Sequence, residues 1–243
     1  MFYLVSATHK GQPMFASDLH LSELVEFLEG DINLQGRRLV LHDIHAIAEL
    51  RRDLLRVLGK DHARQILTRF GYWWGKADAA ALKRVFKWNS VEELIKAGPR
   101  LQTLSGVAKT VIKSLSVDTT ESKFKMEIIW HDSIEVDEQL TAEGPTTEAA
   151  CWKLTGYASG FASYCLNREI YFIEDQCSAK GDMICSATGQ DRESWGDTIL
   201  PHLNFFELDD IQARVEKLSE ELRMKTTQLE EQRRKNLKNP SPS

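Results

Sequence analysis

Three thiols and one carboxylate carry the clearest chemical signal in this sequence: Cys151, Glu174, Cys177 and Cys185. The pattern E-x-x-C, followed after a seven-residue gap by Cys185, puts three soft or anionic donors on one strand-loop unit, and Cys151 reaches them from a preceding helix. Zinc suits such a set. Thiolates and a carboxylate neutralise its charge in a closed four-coordinate site, with Zn–S bonds of about 2.3 Å. Gly181 would let the loop turn tightly around an ion. Spacing alone leaves the alternative open that these are ordinary buried thiols, because free cysteine behaves as a small hydrophobe. Cys165 lies about four turns beyond Cys151 on the same expected helix, too far to share the site, and is assigned to the core.

A second constellation is apolar. Trp130, the helix face LTGYASGFASY and Phe172 could surround a cavity, with Gly156 and Gly160 leaving room. A solidly packed aromatic core is the competing arrangement. An indole N–H enclosed there needs a polar partner, either a ligand oxygen or a nearby amide such as Gln102. Catalytic motifs are missing: there is no G-x-S-x-G, H-E-x-x-H or G-x-x-x-x-G-K-[ST] segment. Histidines at 9, 20, 42, 45, 62, 131 and 202 are scattered, and His42 and His45, though able to share a helix face, lack nearby acidic or cysteine ligands.

The elements that must position these residues follow from periodicity. Asp18 to Glu29 and Asp43 to Leu58 carry apolar residues at helical spacing, and Gly59 stops the second run. Helical periodicity resumes from Lys60 to Phe70 and extends through GYWWGKADAAALKRVF, so the first hundred residues are expected to be mostly helical. From Ser122 to Asp137 the period becomes two. Phe124, Met126, Ile128, Trp130, Ile134 and Val136 share one face of an expected strand, with Lys125, Glu127, His131 and Glu135 opposite. Ala149 to Leu166 reads as a helix, Glu169 to Ile173 as a strand, and DQCSAKGDMIC as a turn-rich loop. Leu208, Ile211, Val215, Leu218, Leu222 and Leu229 keep the spacing of a coiled-coil seam, before a Pro- and Ser-containing tail suited to a flexible linker.

Composition bounds the function. The chain has 243 residues, 42% of them hydrophobic, and a net charge of -5, so it can bury a sizeable core but offers no basic surplus for gripping nucleic acid. The N-terminus lacks the basic start and unbroken apolar core of a signal peptide, and no long apolar run suggests a membrane span. A cytoplasmic protein is expected, whose few cysteines serve as core side chains or metal ligands.

Several segments carry a family resemblance: AELRRDLLRVLG, ILTRFGYWWGKADA, AGPRLQTLSG, IIWHDSIEVD, CWKLTGYASG, and REIYFIEDQCSAKGDMIC with SWGD downstream. Running from Ala48 to Asp197 at consistent spacing, they resemble the sensory domains of sigma-54-dependent transcription activators of the XylR/DmpR kind, which respond to phenols, toluenes and xylenes. The resemblance implies an α+β chain. A mainly helical dimerisation region with the start of the sensor would occupy 1–120, a vinyl-4-reductase-like ligand- and zinc-binding domain 121–200, and a helical coiled-coil linker 201–243. It implies a structural zinc ion on Cys151, Glu174, Cys177 and Cys185.

The same resemblance sets the phenol-contacting histidine and tryptophan of relatives on Gln102 and Trp130, so the tryptophan is kept and the histidine is not. Further pocket positions fall on Ile95, Ile128, Thr155, Phe161 and Phe172. Ile95, Ile128 and Thr155 are comparatively small, which suggests a roomier pocket for a substituted ring beside phenol itself. A homodimer is implied, acting through a downstream ATPase domain and a helix-turn-helix that this chain does not contain, with no direct nucleic-acid contact here. The expectation is therefore a sensor of a small aromatic effector and not an enzyme. The alternatives are a small-molecule enzyme of the same fold and a dimerisation scaffold whose pocket is vestigial.

Overall fold

The computed structural model describes residues 13–34, 36–118, 122–207, 220 and 222–229. Near the start, the expected helix over 18–29 survives as one turn, α1 (Leu21–Leu24). The chain then becomes extended as β1 (Val25–Leu28), β2 (Asp31–Leu34) and β3 (Arg37–Leu39), a three-stranded antiparallel meander. Leu24 and Val25 are buried in succession while Phe27 and Leu28 face out, a distribution no single helical face gives. The turns at Gly30 and Gly36 use positive φ, which glycine adopts without strain.

Three helices follow where the sequence supplies caps. α2 (Ile44–Leu58) starts at Asp43, whose carboxylate accepts the His45 backbone N–H at 2.6 Å, and stops at Gly59. α3 (Lys60–Val85) is the long second run, continuous through GYWWGKADAAALKRV. α4 (Val91–Leu104) is capped by Ser90 and contains Pro99 within its span.

A hairpin of β4 (Lys109–Asp118) and β5 (Lys123–His131) comes next, paired from Lys109 with His131 to Asp118 with Lys123. The strand expected to reach Asp137 ends at His131. Asp132 takes a positive φ, and α5 (Ile134–Ala142) begins after Ser133, so Ile134 and Val136 belong to a helix. Glu135, expected on the solvent face of that strand, is wholly buried. α6 (Trp152–Leu166) and β6 (Ile170–Gln176) fall where periodicity placed them. The turn-rich loop contains a short 3-10 turn at Ser178–Lys180 and leads into β7 (Cys185–Asp191), a strand the periodicity did not announce. Short turns of helix, α7 (Arg192–Trp195) and α8 (Leu200–Leu203), follow.

The second sheet is antiparallel in the order β4-β5-β7-β6, and its inner face lies under α4 and α6. α6 is pressed against α3. A Cβ on Gly156 would sit 2.0 Å from the Thr68 carbonyl oxygen and one on Gly160 1.9 Å from that of Tyr72. Gly71 and Gly75 on α3 stand in the same relation to Lys153 and Tyr157. Gly156 and Gly160, expected to leave room for a cavity, instead let two helix backbones touch.

The chain divides into two units, Met1–Phe206 and Glu207–Ser243. In the second, residues 222–229 are helical and Leu222 and Leu229 are exposed; the seam positions Leu208, Ile211, Val215 and Leu218 and the terminal tail lie outside the described residues. No helix among the described residues is long and apolar enough to cross a membrane.

Candidate functional site

The four donors converge. Cys151 is the N-cap of α6, Glu174 lies on β6, Cys177 follows that strand, and Cys185 opens β7. A register shift between Glu174 and Gln176 marks a bulge in β6, the kind of irregularity that re-aims side chains at a strand end. Gly181, with φ of 100°, turns the loop back towards β7. One ligand atom from each residue lies within 4.8 Å of all the others. Among the described residues this is the one His/Cys/Asp/Glu group so placed, and none of the described histidines joins it.

The donor geometry fits a tetrahedral ion. Zn–S bonds of about 2.3 Å put two sulfurs about 3.8 Å apart, and the Cys151 and Cys185 Sγ atoms are 3.7 Å apart. The Cys151 N–H donates to Glu174 Oε2 at 2.9 Å, whereas the buried Oε1 has no partner among the described residues. Burial, reinforced by Cys177, raises the Glu174 carboxyl well above its usual range. Burial likewise raises the Cys151 thiol, while hydrogen bonds from Cys151, Cys177 and Ser178 pull Cys185 down to about 4. Thiols and a carboxyl gathered this closely could hold a metal ion, which binds their deprotonated forms.

Surrounding groups fix the donors. Ser178 approaches Cys185 Sγ through its backbone N–H at 3.3 Å and its hydroxyl at 3.1 Å, and the Ala150 N–H points at Cys177 Sγ. Behind Cys151, Glu135 accepts the N–H groups of Lys153 and Leu154 at the start of α6. Arg51 from α2 donates to the Ala150 carbonyl, lies 3.6 Å from Glu135 and sits over the Trp152 ring. Neither Arg51 nor Glu135 was singled out from the sequence, where each reads as a surface charge on an amphipathic element.

The apolar constellation lies on the same helix one face away. α4 contributes Ile95, Gly98, Pro99 and Gln102; β5 contributes Met126 and Ile128; α6 contributes Tyr157, Ala158, Phe161 and Ala162; and β6 contributes Phe172. Together they enclose about 280 Å³, counting the part open to solvent. Five expected pocket residues therefore form its wall: Ile95, Gln102, Ile128, Phe161 and Phe172. Two do not. Trp130 is buried behind Gln102 and donates its indole N–H to Gln102 Oε1 at 3.3 Å. Thr155 bonds to carbonyls at the start of α6 and borders a separate cleft with Arg64, Thr68 and His202, although Phe172 touches both spaces.

Tyr157 is the polar wall residue that pattern reading passed over. Its hydroxyl donates to Asp78 at 2.9 Å, and Asp78 in turn pairs with Arg37 of β3, so the proton is already used while the oxygen can still accept. Burial, with Asp78 adding to it, holds the phenol of Tyr157 well above its ordinary range and therefore neutral. The signal was available, since Tyr157 sits inside the aromatic run of α6; its anchor Asp78, distant in sequence, was not. Gly98 faces the Phe161 ring, and Cys165 is buried in the core as expected.

Comparison with known proteins places this geometry in a family context. Residues 20–118 match the family described as activator of aromatic catabolism. The transcriptional regulatory protein XylR of Pseudomonas putida is 32% identical over 195 residues, covering 79% of this chain and 34% of that protein. The phenol regulator MopR of Acinetobacter guillouiae is 28% identical over 166 residues, covering 68% of this chain and 30% of that one. The chain thus spans about a third of the length of these curated relatives. A crystal structure of the phenol-responsive sensory domain of the transcription activator PoxR, with phenol, superposes with a TM-score of 0.74 and 28% identity, covering 80% of this chain and 96% of that one. The resemblance seen in the sequence motifs therefore extends to the whole fold of a sensory domain, and the relatives are named as regulators and not as enzymes.

Proposed function

We propose that this chain, similar over most of its length to the sensory domains of aromatic-responsive transcription activators, is the signal-reception domain of such an activator. It binds a small aromatic effector in the cavity between α4, β5, α6 and β6 and through it controls a downstream sigma-54 activator ATPase. The observation that carries this reading is the coincidence of that relationship with an enclosed wall of aliphatic and aromatic side chains carrying one available polar group, Gln102. Ligand sites of this kind bury most of a small molecule and orient it with few polar contacts.

Cys151, Glu174, Cys177 and Cys185 hold a structural zinc ion in this reading. Four protein ligands leave no open position for chemistry on water. The division of labour follows the fold: 121–200 carries the metal ligands and most cavity residues, 1–120 adds Ile95 and Gln102 together with the dimerising surface, and 201–243 forms the linker. Ile66, Phe70 and Trp73 on α3 are exposed at helical spacing, which supports a homodimer. The effect on DNA is exerted by other domains of a cytoplasmic regulator. Titration calorimetry of the full chain against toluene, xylenes and phenols tests the proposal, which requires saturable binding at one site per chain. Absence of binding by every ring, or chemical turnover of one, would replace it with the scaffold or the enzyme reading.

A further inference from the structure

The proposed effector cavity has a chemical polarity that its aromatic walls conceal. Gln102 is 2% exposed, and its side-chain amide is oriented by its neighbours. The indole N–H of Trp130 can only donate, so the amide atom facing it at 3.3 Å must be the oxygen. Thr110 Oγ donates to the same oxygen at 3.0 Å. The two lone pairs of Oε1 are thereby used, and the Gln102 backbone carbonyl accepts from Val107 N–H and the Ser105 hydroxyl. The Nε2 group is left, buried and with no partner among the described residues. Neither Trp130 nor Thr110 lines the cavity, whereas Gln102 does, so the amide turns its oxygen away from that space and its NH2 towards it. The other polar wall side chain, Tyr157, gives its one hydroxyl proton to Asp78 and so offers a ligand no donor, while its oxygen can still accept.

We infer that the Gln102 Nε2 group selects the effector class: aromatic rings bearing a hydrogen-bond acceptor, such as aryl nitriles, ketones and ethers. This rests on the proposed aromatic-binding role of the same cavity. A buried donor without a partner is costly, so a ligand that supplies an acceptor gains more than the modest net value of an ordinary hydrogen bond.

The test uses a matched pair on the full chain by calorimetry. Benzonitrile and ethynylbenzene share shape and differ in the acceptor, and toluene reports the ring alone. Benzonitrile is expected to bind about three- to tenfold more tightly than ethynylbenzene. Gln102→Met, close in shape but without a donor, is expected to bring the benzonitrile preference to near unity, with its unliganded melting curve reporting that it folds. Gln102→Leu, without any polar side-chain atom, should give the same loss of preference if the methionine variant does not fold. A benzonitrile preference that persists in the folded variant overturns the inference. The aromatic-sensing role survives that outcome, whereas failure of benzonitrile, ethynylbenzene and toluene alike to bind removes that role itself.

Discussion

Replacing Gly160 by alanine puts two effects of opposite sign in competition. Within an exposed helix the substitution stabilises, because alanine is favoured over glycine by about 1 kcal/mol. Here the new Cβ would lie 1.9 Å from the Tyr72 carbonyl oxygen and 2.7 Å from its carbon, both backbone atoms of α3 that no rotamer change can move. Restoring van der Waals contact requires α3 and α6 to part by roughly 1 Å, and a gap of that size forfeits up to half of each dispersion well along the crossing. Overpacking of this kind costs about 1–3 kcal/mol and occasionally more. Because Gly71, Gly75 and Gly156 make the same close approach, the loss is shared along the whole interface and belongs at the upper end. A net destabilisation of about 2 kcal/mol remains after the propensity gain, and lowers the melting temperature by about 4–8 °C for a unit of this size. Thermal unfolding followed by circular dichroism measures it. Gly98→Ala is the contrast: its Cβ meets only the Phe161 ring at 2.9 Å, which can shift into the cavity, so the melting temperature should change less while ring binding weakens. A Gly160→Ala protein melting at or above the parent temperature would refute the helix-contact reasoning.

Three further outcomes are expected. Metal analysis should find one zinc per chain, and the double variant Cys177→Ser, Cys185→Ser should lose both the metal and several degrees of melting temperature, because a closed site contributes its binding energy to folding; a metal-free protein of unchanged stability would contradict this. Arg51→Ala removes the guanidinium that bonds the Ala150 carbonyl and lies beside Glu135, whose carboxyl burial raises to about 7, so chemical denaturation should show a loss of about 1–3 kcal/mol, and no loss would mean the pair is not the support of α6 that its geometry suggests. Light scattering should report a dimer at micromolar concentration, and Phe70→Glu with Trp73→Glu should convert it to a monomer; a doubly substituted chain that remains dimeric would place the interface elsewhere.

Much of the candidate site was legible because its chemistry is local. The E-x-x-C unit and Cys185 sit on one strand and loop, so residue type and spacing suffice to suggest a metal, and the helices over 44–58 and 60–85 are announced by Asp43, Gly59 and unbroken periodicity. The cavity residues Ile95, Gln102, Ile128, Phe161 and Phe172 come from elements distant in sequence, and only the motif resemblance gathered them before the fold did. β4 is irregular because a shift between Ile112 and Ser114 breaks its alternation, and β7 carries small side chains because the Phe172 ring lies over Gly189, where a Cβ would meet it at 2.3 Å. Neither strand shows the pattern that marks a half-buried one.

Local commitments were thus readable from residue order alone: caps, helical faces, a Cys/Glu set able to hold a metal, and the aromatic content of α6. Whatever depends on which backbone arrives beside which side chain was settled by packing. It converted Gly156 and Gly160 from space into contact, carried Glu135 from an expected strand face into the core opposite Arg51, and set Thr155 beside a different cleft from Gln102. It also set the direction of the Gln102 amide, because an amide has two chemically opposite ends of nearly equal shape. Only the donors that reach it, Trp130 and Thr110, fix which end the cavity sees.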